Sequence, residues 1–68
     1  MRVAIYIEIK NHIDSVWLWD NIKEYGVNLL DAGKKAFVYG TVELEDAMVV
    51  CYICCLFGSV KVEIARAK

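Results

Sequence analysis

The sequence predicts an α+β fold: a four-stranded antiparallel sheet with two helices on one face. Three observations predict it. Apolar and polar residues alternate with period two near both chain ends and again in the middle. Two segments between them break the alternation, one amphipathic at helical spacing and one continuously apolar. Gly26, Gly33 and Gly58 fall singly at the ends of segments, where a chain has to turn. The 68 residues fit one domain, 1–68, with no internal linker or low-complexity stretch.

The first strand is read from Val3, Ile5, Ile7 and Ile9, which alternate with Arg2, Ala4, Tyr6, Glu8 and Lys10. Asn11-His12-Ile13-Asp14-Ser15 is rich in capping residues and precedes a helix from about Asp14 to Tyr25. On that helix Val16, Leu18, Trp19, Ile22 and Tyr25 share one half of the wheel, while Asp14, Asp20, Asn21 and Glu24 share the other, with Trp17 on the polar side. Gly26 suits a left-handed residue just past the helix. A short strand over Val27–Asp31, a turn at Ala32-Gly33-Lys34-Lys35 and a strand over Ala36–Val42 form a hairpin.

Glu43, Glu45 and Asp46 place negative charge at the start of the next element, as a helix N-terminus favours, and Gly58 stops it. Its run from Ala47 to Phe57 is apolar for eleven residues, well short of the roughly 20 needed to span a bilayer. Val60, Val62 and Ile64 alternate with Lys61, Glu63 and Ala65 in a last strand. The order β-α-β-β-α-β is the ferredoxin-like split pattern.

Strand parity then assigns faces. The helix-covered face is expected to hold Val3, Ile5, Ile7, Ile9, Val38, Val42, Val60, Val62 and Ile64. Tyr6, Phe37 and Tyr39 are expected to cluster on the open face.

Composition narrows function. The chain is 59% hydrophobic and 25% charged, which excludes intrinsic disorder. Eight basic against nine acidic residues disfavour a polyanion binder driven by bulk charge. A domain of this size buries only roughly 60% of the surface its unfolded chain exposes. So much apolar residue therefore leaves some apolar surface for a partner. The N-terminal residues do not read as a signal peptide, because Glu8 interrupts the apolar stretch such a peptide needs. Three clustered cysteines fit a reducing compartment, and the reading is a cytoplasmic protein without a membrane segment.

Chemistry-bearing groups are sparse. Cys51-Tyr52-Ile53-Cys54-Cys55 contains a single CxxC, but a tetrahedral zinc site needs four ligands and the only histidine, His12, is far away in sequence. A redox pair would sit at a helix N-terminus, whereas this one lies deep in an apolar segment, so the cysteines read as packing residues. No nucleophile-base grouping, paired carboxylates or glycine-rich phosphate loop is present. The reading is a non-enzyme with no cofactor and no metal.

The strongest signal is the second helix. Ala47, Val50, Cys54 and Phe57 form its inward stripe, which leaves Val49, Tyr52 and Leu56 pointing away from the sheet, with Trp17 as a further exposed aromatic. These residues predict a homo-oligomer contact, with the Tyr6–Phe37–Tyr39 face as the other candidate.

Two resemblances add alternatives. Lys35-Ala36-Phe37-Val38-Tyr39 partly resembles the third-strand motif of RNA-recognition domains, which implies single-strand stacking on Tyr6, Phe37 and Tyr39. Glu24-Tyr25-Gly26-Val27-Asn28-Leu29-Leu30-Asp31 resembles the helix-to-strand junction of ACT-like regulatory domains. That resemblance implies a ferredoxin-like fold, side-by-side oligomerisation and an amino-acid ligand near Asn11, His12 and Asp14. The acidic-Pro-Gly turn that such domains carry after strand one is replaced here by Lys10-Asn11-His12-Ile13-Asp14.

Overall fold

A computed structural model describes residues 1–10 and 14–67. Its elements follow in the order β1 (Arg2–Lys10), α1 (Ser15–Ile22), a 3-10 turn (Lys23–Tyr25), β2 (Asn28–Asp31), β3 (Lys35–Glu43), α2 (Leu44–Leu56) and β4 (Ser59–Arg66). The fold is α+β, with all four strands antiparallel in one sheet of order β2-β3-β1-β4. β1 and β3 pair over nine residues in register, with Tyr6 opposite Tyr39 and Ile7 opposite Val38.

Each element begins and ends for a local reason. Asp14 caps α1: its Oδ1 accepts hydrogen bonds from the Val16 N–H at 3.0 Å and the Trp17 N–H at 3.2 Å. These are two of the donors that a helix start leaves without a partner. The helix tightens into the 3-10 turn and stops at Gly26, whose φ of 79° is left-handed. The hairpin turn is held by Asp31, whose Oδ1 accepts from the Gly33 N–H at 2.9 Å. α2 follows β3 without a loop, carries Glu45 and Asp46 in its first turn, and is tied to the residue preceding β1 by the Leu44 N–H donating to the Met1 carbonyl at 2.8 Å.

The period-two expectation holds along β1 and the centre of β3. Val3, Ile5, Ile7, Ile9, Val38 and Val42 are buried and form one core cluster. Leu18 and Ile22 of α1 and Ala47, Val50 and Cys54 of α2 join the same cluster. Among the described residues no polar or charged side chain is buried.

Two expectations need correction. Val16 and Trp19, assigned to the buried half of α1, are 67% and 37% exposed, because an eight-residue helix offers only Leu18 and Ile22 a full view of the core. In β4, Val62 and Ile64 do lie opposite Ile7 and Ile5, so they share the core face as parity requires. Yet Val60, Val62 and Ile64 remain 53%, 45% and 49% exposed. β4 is an edge strand, and the helical layer leaves this row of apolar side chains half open.

Gly40 shows a close approach that alternation alone does not reveal. It lies opposite Ile5 on the core face with φ +157°, and a Cβ there would meet the Val27 Cα at 3.3 Å. The chain leaving α1 passes over this position, and Val27 fills the space a side chain would take.

Candidate functional site

Three surfaces gather the exposed apolar and aromatic residues. The first is the outer face of α2. The inward stripe is as expected, with Ala47, Val50 and Cys54 fully buried and Phe57 partly buried. The opposite side carries Val49, Tyr52 and Leu56, the last two 66% and 69% exposed. Met48 is exposed beside them and escaped the helical-wheel reading. Its i, i+4 spacing to Tyr52 was the available signal. Trp17 is exposed on α1, a separate helix, where its carbonyl accepts from Asn21 Nδ2 at 2.8 Å.

The second surface is the open face of the sheet. Tyr6 and Phe37 stack with ring centroids 5.9 Å apart and planes 27° from parallel. Tyr39 lies directly across from Tyr6 on the neighbouring strand. Charge around them is paired. Lys35 Nζ donates to Glu8 Oε1 at 3.1 Å, and Lys61 Nζ lies 3.1 Å from Glu63 Oε1. The hydrogen bond that Lys61 donates to Glu63, then the negative charge of Glu63, hold the Lys61 ammonium above the usual lysine value. At the sheet's corner Arg2 donates to the Thr41 carbonyl at 2.6 Å and approaches Glu43 at 3.7 Å.

The third surface adjoins the start of α1. Ser15, Val16, Trp19 and Leu29 line a shallow depression between α1 and β2. Asp14, one of the residues expected to meet a small ligand, is occupied as the helix cap. Asn11 and His12, the other two, lie outside the described residues. Asp31 beside the depression is held below the usual carboxylate value, chiefly by the Gly33 N–H and then by a hydrogen bond from Ser15.

The cysteines are all free, with Cys54 buried, Cys51 intermediate and Cys55 exposed. Burial, and secondarily the nearness of Cys51, push the Cys54 thiol up to about 12. Burial also raises Cys51. Raised thiols are protonated at neutral pH and make poor nucleophiles and poor metal ligands. Among the described residues no three His, Cys, Asp or Glu side chains come together in a way that would hold a metal ion. No helix among them is long and apolar enough to cross a membrane. Comparison of the chain with protein-family models, curated proteins and solved structures returns no match.

Proposed function

We propose that this chain is a small non-enzymatic interaction module that acts as a homo-oligomer. The observation that carries the reading is the back of α2. In a domain with one helical layer, the outer side of a helix faces water and is ordinarily polar. Here it presents Met48, Val49, Tyr52 and Leu56, a contiguous apolar stripe of the kind that marks an interaction site. The open sheet face with Tyr6, Phe37 and Tyr39 is the alternative contact. The element order and the strand order β2-β3-β1-β4 support a ferredoxin-like reading of the fold, and with it the ACT-like resemblance.

Sedimentation velocity at about 100 μM, where micromolar affinities are largely saturated, tests the proposal. A dimer or higher species is expected, and a monomer refutes it. Tyr52→Glu with Leu56→Glu weakens association if the α2 face is the contact, whereas Tyr6→Glu weakens it if the open face is.

A second reading follows the ACT-like resemblance and takes a small amino acid as ligand near the first loop. The depression lined by Ser15, Val16, Trp19 and Leu29 favours it, because it adjoins the start of α1 and exposes Trp19 as an optical probe. Unchanged tryptophan fluorescence on titration with the common amino acids removes it. The RNA-recognition-like reading has the aromatic stack in its favour, but the paired Lys35–Glu8 and Lys61–Glu63 charges leave little positive excess for phosphates.

A further inference from the structure

The β4 edge is complementary to itself. Among the described residues β4 bonds only to β1 and ends the sheet, so one row of its backbone N–H and C=O groups has no strand partner among them. Such an edge is a template for another strand, and proteins usually blunt it with proline, repeated lysine, or bulges along its length. The chain contains no proline. The register shift between Glu8 and Ile9 lies near the start of β4, and from Lys61 to Arg66 the strand pairs regularly with β1.

Consider two copies related by a two-fold axis perpendicular to the sheet. Their β4 strands run antiparallel, and each residue must face one that points to the same side of the sheet, so the axis passes through a residue. With the axis at Val62, Val62 faces Val62 of the second copy and Val60 faces Ile64. This sets Val62 and Ile64 of the two copies side by side on the core face, with Val60 of each copy at the register shift beside them. On the open face Lys61 then meets Glu63 of the second copy, and Glu63 meets its Lys61. Moving the axis by one residue sets Lys61 against Lys61 and Ile64 against Gly58, or Glu63 against Glu63 and Val60 against Arg66. The other sheet edge, β2, has four residues and no such match: an axis at Leu29 or Leu30 sets an apolar residue against Asn28 or Asp31.

We infer that β4 pairs with β4 of a second copy, antiparallel and centred on Val62, to form a continuous eight-stranded sheet across a two-fold dimer. This rests on the homo-oligomer reading above and adds the strand edge as a contact between two copies, separate from the back of α2 and the open face.

Charge exchange tests the register. Lys61→Glu and Glu63→Lys each place like charges opposite one another in their own dimers. Mixed together they restore two opposite-charge pairs, as does the double variant Lys61→Glu/Glu63→Lys. At a fixed concentration of about 100 μM, sedimentation velocity is expected to show dimeric wild type, a monomer-shifted distribution for each single variant, and recovery of the dimer both in the equimolar mixture and in the double variant. Lys61 faces Glu8 within the chain, so far-UV circular dichroism accompanies each sample. Should Lys61→Glu fail to fold, Glu63→Lys against the double variant carries the same comparison, and a double variant that fails as well is replaced by Val62→Lys, which sets two ammonium groups against each other on the axis. Wild-type dimers that persist unchanged in the charge variants overturn the β4 pairing and leave the homo-oligomer reading standing. Loss of the dimer in the single variants without recovery in the mixture or double variant overturns the register. A monomeric wild type overturns both readings.

Discussion

Replacing Gly40 with alanine tests the packing that brings β2 beside β3. Two costs add. Gly40 has φ +157°, a backbone region that L-residues rarely occupy, and holding alanine in such a region costs about 1–3 kcal/mol. The new Cβ would also lie 3.3 Å from the Val27 Cα and 3.5 Å from the Gly26 carbonyl oxygen. Both neighbours are backbone, so relief means moving the whole Gly26–Val27 segment, and Val27 is itself in the core. Overpacking of this kind costs about 1–3 kcal/mol, giving a total of about 2–6 kcal/mol. A chain of 68 residues has a stability of roughly 3–10 kcal/mol, so the variant is at best marginally folded. Each kcal/mol shifts the melting temperature of such a domain by about 4–8 °C, and a drop of at least about 8 °C is expected by circular dichroism. Protein concentration is held constant, because an oligomer's melting point depends on it. Gly33→Ala is the internal standard. Gly33 has φ +84° but nothing within 4 Å of an added Cβ, so it bears only the left-handed strain of about 1–2 kcal/mol. If Gly40→Ala melts within about 4 °C of wild type, or above Gly33→Ala, the close approach of Val27 does not constrain the fold as argued.

Further outcomes follow from the caps and the cysteines. Asp14→Ala removes the acceptor for the Val16 and Trp17 N–H groups, and urea denaturation is expected to show a loss of about 0.5–2 kcal/mol, with Asp14→Asn retaining most of it. The Cys54 thiol titrates near 12 in the folded chain against 9.0 in the unfolded one, so above pH 9 the unfolded state sheds a proton that the folded state keeps. Stability due to Cys54 is therefore complete below pH 9 and falls progressively as pH rises toward 12, and the alkaline decline is expected to flatten in Cys54→Ala. Asp31 acts in the opposite direction: its carboxylate, held below 3.8, favours the folded state above that pH and loses this contribution as acid protonates it, so Asp31→Asn is expected to lessen the acid sensitivity of unfolding. Labelling with a thiol reagent at neutral pH is expected to modify Cys55 first, Cys51 more slowly, and Cys54 only as the chain opens.

Much of the architecture was legible because it rests on local rules. Period-two alternation located β1 and β3 and assigned Ile5, Ile7 and Val38 to the core correctly, since a strand with one buried face admits only one parity. Asp14 and Gly26 marked the ends of the first helical segment because a helix leaves donors bare at one end and favours a left-handed residue past the other. The same parity placed Tyr6 beside Phe37 and across from Tyr39. What alternation cannot convey is coverage. It gives the face on which Val62 and Ile64 stand, but not whether a helix lies above them. Nor does it show which segments cross, so Gly40 reads as one more member of an alternating strand until Val27 is seen against it. The candidate surfaces divide likewise: the back of α2 follows from a helical wheel, whereas the open row along β4 follows only from the sheet order.

The surplus of apolar residue has a geometric origin. α1 has eight residues and is roughly 12 Å long, whereas nine-residue strands such as β1 run to roughly 30 Å. This helix is shorter than the sheet it helps to cover, and apolar surface is left at the perimeter along β4. Keeping such an edge soluble requires only charge on alternate positions, and two lysines would serve that end best, because like charges repel an incoming copy. β4 instead carries Lys61 and Glu63. Their pairing within one strand, at 3.1 Å between exposed side chains, is screened by solvent and does not explain the choice of opposite signs. Opposite charges two positions apart, flanking a valine and enclosed by Val60 and Ile64, are what an antiparallel strand needs to recognise its own copy. The proposed pairing of β4 with its copy accounts for the open apolar row along this edge and for its opposite charges together.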